Sequence, residues 1–238
     1  MEKNSFVIPG LVEVRFEVLR MFEGREDTKF VLAEHGLGYK VAVLNLTGRR
    51  LLAQMAIDRV DTMSGQPANC FLNGGMVCSA YGPTSFDGWR QDNATVGAFK
   101  FTLNDSQTVS VQLNNEKDAL GIIEFTFIQE VKPIERFDYG ILRDGSPKSQ
   151  VTLGLEGFRG AESFGLGKSS GSVGTGMGGD EVSRVRNTKF DRDYSTMKTM
   201  TVYPKTIWWL RDNGLFGSAP YDDLPGSSPK NFGGLKRS

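Results

Sequence analysis

Between Leu11 and Glu130 apolar and polar residues alternate one by one in short runs, each ended by Gly, Pro, Asn or Asp. A period of two places every second side chain on one face of an extended chain. Such runs therefore fold as half-buried strands, because an amphipathic helix repeats its apolar residues roughly every 3.6 positions. Leu11-Val12-Glu13-Val14-Arg15-Phe16-Glu17-Val18 is the clearest example. Tyr39 to Leu46 alternates in the same way, and after the turn Thr47-Gly48-Arg49-Arg50 the pattern resumes at Leu51 to Asp58, so the spacing predicts a hairpin. Further short strands are expected at Gln66 to Leu72, Gly75 to Ala80, Thr84 to Trp89, Thr95 to Leu103 and Gly121 to Gln129. Nine or so short strands separated by turns point to an all-β fold, an antiparallel sandwich of jelly-roll-like form. No βαβ alternation is visible, which argues against doubly wound and TIM-barrel folds. The chain has 238 residues, 39% of them hydrophobic, enough for a sizeable core.

The second half is organised differently. Pro133 and Pro147 bracket a charged linker, and residues 160 to 179 hold 8 glycines among 20, a composition that cannot build a core by itself. Alternation returns at Val182 to Phe190 and at Lys198 to Tyr203, so two strands are expected to rejoin the sheet or to complete a neighbour's. Pro204, then Lys205 to Asn213 closed by Gly214, suits a short helix. Phe216 to Ser238, rich in Pro, Ser and Gly, reads as an extended arm. The organisation read from the sequence is a β-sandwich body over 1–131, a Pro/Gly-rich linker and loop over 132–180, returning strands over 181–204, and a short helix with the arm over 205–238.

Charge and composition exclude several function classes. Lys plus Arg and Asp plus Glu are 28 each, so no overall field recruits nucleic acid or an anionic membrane. Residues 184 to 211 carry seven Lys/Arg against two Asp, and with acids nearby they read as a solvated face. One histidine, His35, and two cysteines are too few for an ordinary zinc site, and no cofactor is called for. Neither a signal peptide nor a long apolar run is present, which predicts a virion or cytoplasmic location and no membrane partner.

Catalytic motifs fail on spacing. A Ser-His-Asp or Cys-His mechanism would have to use His35, in a Glu-His-Gly turn, and no nucleophile elbow accompanies it. Gly165-Leu166-Gly167-Lys168-Ser169 lacks the P-loop glycine, since position 162 is Glu. Asp58, Asp61, Asp87 and Asp92 lie near expected turns, where a carboxylate hydrolase could draw its pair; solvated turn acids are the plainer reading. The EF-hand pattern is absent. Cys70 and Cys78 would face each other across an Asn-Gly-Gly hairpin loop, with Cα atoms about 4.5 to 5.5 Å apart, within disulfide range. Two buried thiols behaving as small hydrophobes are the alternative.

Aromatic residues carry the remaining signal, because they bury large area at modest entropic cost. Trp208 and Trp209 are adjacent, and on a helix they point about 100° apart, so only one can face its own core fully. With Phe216, Tyr221 and Phe232 they form a series of anchors for an arm. Trp89, Tyr81 and Arg90 are the alternative, a stacking platform for carbohydrate or another ligand, although core packing is the plainer role for Trp89.

Several segments in order resemble a known group. They are Glu34-His35-Gly36, Tyr39-Lys40-Val41, Ala56-Ile57-Asp58 with Gly65, Asp87-Gly88-Trp89-Arg90, Ala98-Phe99-Lys100-Phe101-Thr102 and Ala119-Leu120-Gly121-Ile122-Ile123-Glu124-Phe125. The late Gly174-Thr175-Gly176-Met177-Gly178 and Lys189-Phe190-Asp191-Arg192 continue the series. This order is similar to that of a poorly characterised family of bacterial and viral β-sandwich proteins, with "VDG", "GW", "AAFRF", "GVIGVAVF" and "GTGHG" segments. The resemblance spans roughly residues 30 to 215 and implies the sandwich fold, with no activity to carry over. Arg59-Val60-Asp61 stands in place of the family's Asp-Gly, and Met177 in place of its histidine. The expectation from the whole sequence is a non-enzymatic structural subunit of a repeating assembly, a phage or virus virion protein. Its partners would be copies of itself or other virion proteins, met through the C-terminal arm.

Overall fold

In the computed structural model the described residues are 2–103, 105–114, 120–132 and 173–215. They form an all-β sandwich of three sheets. The largest sheet runs β1 (Glu2–Lys3), β4 (Met21–Glu23), β5 (Lys29–Leu32), β16 (Arg192–Lys205), β14 (Ile123–Glu130), β8 (Leu51–Ile57) and β10 (Met76–Cys78), with β9 (Val60–Asp61) also on β8. Every pair in it is antiparallel except β16 with β5, where Val202 to Lys205 run alongside Lys29 to Leu32. A second sheet runs β11 (Pro83–Phe86), β7 (Val41–Asn45), β3 (Val12–Phe16) and β2 (Phe6–Ile8). The third runs β12 (Gly88–Arg90), β13 (Thr95–Thr102) and β15 (Gly174–Val182), with β6 (Gly38–Tyr39) also on β13. Two short helices complete the set, α1 (Val109–Asn114) and α2 (Ile207–Asp212).

Alternation builds the interior. Val12, Val14 and Phe16 of β3, Val41 and Val43 of β7, and Ile123, Phe125 and Phe127 of β14 point into one continuous core. Its centre is aromatic. Tyr39 stacks on Phe101 at 4.3 Å and on Phe99 at 5.3 Å, while Trp89 meets Phe99 edge-on at 5.7 Å and Phe16 meets Phe125 edge-on at 6.2 Å. A smaller cluster of Phe22, Phe30, Leu32 and Leu210 seats α2 against β4 and β5.

The hairpin expected between Tyr39–Leu46 and Leu51–Asp58 does not form, because β7 and β8 belong to different sheets. Asn45 turns the corner. Its buried side-chain amide donates to the carbonyls of Arg49 (2.7 Å) and Ser79 (2.8 Å), and its oxygen accepts from the Thr47 backbone N–H (2.9 Å) and hydroxyl (2.8 Å). Four hydrogen bonds on one side chain let the chain leave one layer and enter the other without orphaned backbone groups.

The strand expected at Gln66–Leu72 is a loop folded over the outer face of β8. Gln54 holds it by donating to the carbonyls of Asn73 (2.8 Å) and Gly74 (3.0 Å), and Arg192 donates to those of Cys70 (2.9 Å), Phe71 (3.1 Å) and Asn73 (2.6 Å). This cover explains why every residue of β8 is buried, where alternation alone would bury every second one. It also separates the two cysteines. Cys78 pairs with Leu51 on β8 while Cys70 lies in the loop, so they do not face each other across a hairpin, and both thiols are free. Burial pushes the Cys78 thiol up to about 12. Because the thiolate is the nucleophile, iodoacetamide at pH 8 is expected to label half-buried Cys70 and leave Cys78 unmodified in the folded protein. Labelling of both at equal rates would contradict this packing.

The returning strands pair within the chain, β15 on β13 and β16 between β14 and β5. The first of them lies earlier than the alternation at Val182–Phe190 suggested, on the glycines themselves. A Cβ at Gly174 would sit 2.3 Å from the Thr108 methyl, and one at Gly176 would sit 2.6 Å from the Gln107 carbonyl oxygen. Close approach to that neighbouring segment requires residues without side chains, so the glycine-rich stretch supplies a strand where β-propensity would not place one.

Candidate functional site

The four carboxylates from which a hydrolase could draw its pair are each held by hydrogen bonds within the fold. Asp58 and Arg59, with φ of 51° and 64°, form the two-residue turn between β8 and β9, where Ile57 pairs with Val60. Two successive positive φ values define the tight hairpin turn that Asp tolerates better than most residues. The Asp58 side chain points inward. Its Oδ1 accepts the backbone N–H groups of Gly121 (2.7 Å) and Ile122 (3.1 Å), and its own N–H donates to the Ile122 carbonyl (2.8 Å). The turn is thereby tied to the segment that feeds β14. Burial pushes the carboxyl up to about 7, against the lowering pull of the Ile122, Gly121 and Thr175 backbone N–H groups. Beside it the Tyr39 hydroxyl and the Thr175 hydroxyl are 2.9 Å apart, and burial raises Tyr39 beyond any physiological titration. A perturbed carboxyl is a frequent mark of an active site; this one is 2% exposed.

Asp61 caps its own turn, accepting from the backbone N–H groups of Met63 (3.2 Å) and Ser64 (2.8 Å) and from the Ser64 hydroxyl (2.6 Å). Asp87 accepts from the hydroxyls of Ser85 (2.8 Å) and Ser183 (2.7 Å). Asp92 accepts from the backbone N–H groups of Ala94 (2.7 Å) and Thr95 (2.8 Å), bonds that hold its carboxyl below the usual range. His35 accepts the Leu103 N–H at Nδ1 (3.3 Å). No cluster of His, Cys, Asp and Glu among the described residues could hold a metal ion. The Lys168-Ser169 segment lies outside the described residues.

The ligand platform of Trp89, Tyr81 and Arg90 is not assembled. Trp89 is 3% exposed, packed on Phe99, with its indole N–H donated to the Gly176 carbonyl at 3.2 Å, so neither ring face is open to a sugar. Arg90 donates to the Ser183 carbonyl and, at 3.2 Å, to its hydroxyl, and burial lowers its pKa. Tyr81 stands apart on the 79–82 turn, 71% exposed, its hydroxyl above Gly48.

The aromatic pair on α2 divides as helical geometry requires. Thr206 caps the helix by accepting the Trp209 N–H. Trp209 turns inward onto Phe30 at 5.0 Å, with the Lys205 ammonium 5.1 Å from its ring centre. Trp208 turns outward, 53% exposed, with Arg211 at 5.7 Å from its ring centre. Phe216, Tyr221 and Phe232 lie outside the described residues.

Sequence reasoning did not single out Phe71, Leu72 and Tyr194. Phe71 and Leu72, 57% and 82% exposed, stand at the tip of the loop over β8, and the Phe71 and Tyr194 rings lie 5.2 Å apart. The segment of Phe71 and Leu72 carried a readable signal, the lack of any charged residue from Thr62 to Phe86. No helix among the described residues is long and apolar enough to cross a membrane. No protein-family model, no curated protein and no solved structure matches this chain.

Proposed function

We propose that the protein is a non-enzymatic structural subunit of a repeating assembly, a phage or virus virion component of the capsid, cement, vertex or tail-associated kind. The observation that carries this reading is the division of labour on α2. Trp209 fixes the helix to the body while its neighbour Trp208 is turned outward, 53% exposed. A rigidly mounted, half-open tryptophan is the usual chemistry of an interface anchor.

Light scattering coupled to size exclusion tests it. The full chain is expected to form a defined oligomer, or a complex with other proteins of the assembly. Trp208→Ser is expected to weaken that association roughly 30-fold, as loss of an aromatic anchor does, with an unchanged circular dichroism spectrum. A full chain that stays monomeric at every concentration and binds no assembly protein would remove the proposal.

A further inference from the structure

The alternating run from Val182 to Phe190 has the sequence of a strand, yet most of it joins no sheet. β15 ends at Val182 and β16 begins at Arg192, and the nine residues between them, 183–191, belong to no strand or helix. Arg184, Arg186, Asn187, Thr188 and Lys189 are exposed. Both ends of this connector are tied down. Ser183 and Val185 donate their backbone N–H groups to the carbonyls of Ala94 (2.8 Å) and Asn93 (2.9 Å). At the other end Arg50 donates to the Lys189 carbonyl (3.0 Å), and the Asp191 carbonyl accepts the Val131 N–H (2.8 Å). Between these ties, no hydrogen bond among the described residues reaches Arg186 or Asn187.

An endoprotease takes its substrate as an extended segment, pairs with that backbone as with an added strand, and seats one side chain in a specificity pocket. Backbone already paired in a sheet cannot be taken in this way. Arg15, Lys100 and Lys198 show the contrast, because their side chains are exposed but each lies within a strand and opposite a partner, Ala42, Gly176 and Phe127 respectively. Within the connector, Arg184 stands between two tied residues. Lys189 is held at its carbonyl, and its ammonium lies 3.8 Å from the Asp191 carboxylate. Arg186 joins an exposed cation to unbonded backbone, and the exposed Asn187 follows it. Exposed loop positions with polar neighbours are where folded chains are nicked.

We propose that the 183–191 connector is a cleavage site for an arginine-specific endoprotease, cut between Arg186 and Asn187, and that the cut chain keeps its fold. Water adds across the peptide bond. Its oxygen goes to the Arg186 carbonyl carbon, leaving a carboxylate, and both its protons go to the departing Asn187 nitrogen, a new ammonium terminus. The flanking strands hold the pieces together, since β15 stays on β13, and β16 stays between β14 and β5 with Trp209 of α2 packed on Phe30. What changes is reversibility. In the intact chain the connector offers β16 to its slot at an effective concentration of about 1 mM, as short linkers do, and after the cut a micromolar solution supplies it roughly 1,000-fold less. Cleavage here is independent of the assembly reading.

Limited digestion of the folded full chain with trypsin, with the new termini mapped by mass spectrometry, tests the site. A new amino terminus at Asn187 is expected, and none after Arg15, Lys100 or Lys198. The fragment beginning at Asn187 is expected to co-elute with the body in size exclusion. Arg186→Gln, which removes no described hydrogen bond, is expected to slow scission of this bond about 100-fold, because the acidic pocket of the protease loses its ion pair. That variant, digested in parallel, is the reference against which cuts elsewhere in the chain cancel. After urea unfolding and dilution, recovery of the digested native chain is expected to fall with protein concentration more steeply than that of the digested variant. The inference is overturned if the Arg186–Asn187 bond survives in the folded protein, or if the cut falls at Arg184 or Lys189 instead. It is equally overturned if cleavage rises with urea only in step with the unfolded fraction, or if the Asn187 fragment separates from the body.

Discussion

Asp58→Asn is expected to become more stable than the native protein as pH rises, by about 4 kcal/mol once the pH is above 7, and to match it near pH 4. The Asp58 carboxyl has a raised value in the folded state, about 7 against 3.8 for the ordinary group. Between those limits the folded protein holds a proton that the unfolded chain has released, so raising the pH favours unfolding. The stabilisation by that proton is complete below pH 3.8 and is lost as the pH passes through about 7. Asparagine keeps what the position demands otherwise, since it accepts φ near 51° and offers Oδ1 to Gly121 and Ile122, while it cannot ionise. Glu2, Glu23 and Glu130, held low by hydrogen bonds from Arg20, Lys3 and Arg50, have the opposite sign and titrate alike in both proteins. Urea unfolding of the two proteins at pH 4, 5.5, 7 and 8.5 isolates the difference. A constant gap across that range would mean that the Asp58 carboxyl is ionised throughout.

Phe99→Ala is expected to cost about 4 kcal/mol and roughly 10 °C in melting temperature, the cost of emptying a large, fully enclosed aromatic site. Phe99 stands between Tyr39 and Trp89, so the cavity would open where β6, β12 and β13 share one aromatic column. Trp89 reports on it directly. Its indole is locked by the ring of Phe99 and by the Gly176 carbonyl, and a red shift in tryptophan emission is expected with the loss of stability. A melting temperature within about 2 °C of the native value would show that the column relaxes to fill the space.

The strands were legible because their cause is local. In β3 and β14 the alternation itself states which face is buried, and a reader of Val12-Glu13-Val14-Arg15-Phe16 needs no other part of the chain. Sheet membership was not legible, since it depends on Asn45 finding the carbonyl of Ser79, a partner 34 residues away. Asp58 illustrates the same limit at the candidate site. An aspartate in a turn reads as solvated, and only the distant Gly121–Ile122 segment shows that this one faces inward. The split between Trp208 and Trp209 could be expected from helical geometry, but which ring turned inward was decided by Phe30. The uncharged run from Thr62 to Phe86 was visible as a missing residue class, which no search for motifs detects.

The order in which this sheet closes differs from the order in which a ribosome delivers it. β16 lies between β5 and β14, so the central strand of the largest sheet is the last of its described strands to emerge. Until residue 205 is available, β5 and β14 present open edges toward a gap between them, and the parallel contact of Val202 with Lys29 spans most of the chain. Non-local closure of this kind slows folding and leaves hydrophobic strands exposed during synthesis. Nascent chains halted before β16 should therefore need chaperone protection, and the protein should commit to its fold only as β16 slides into place.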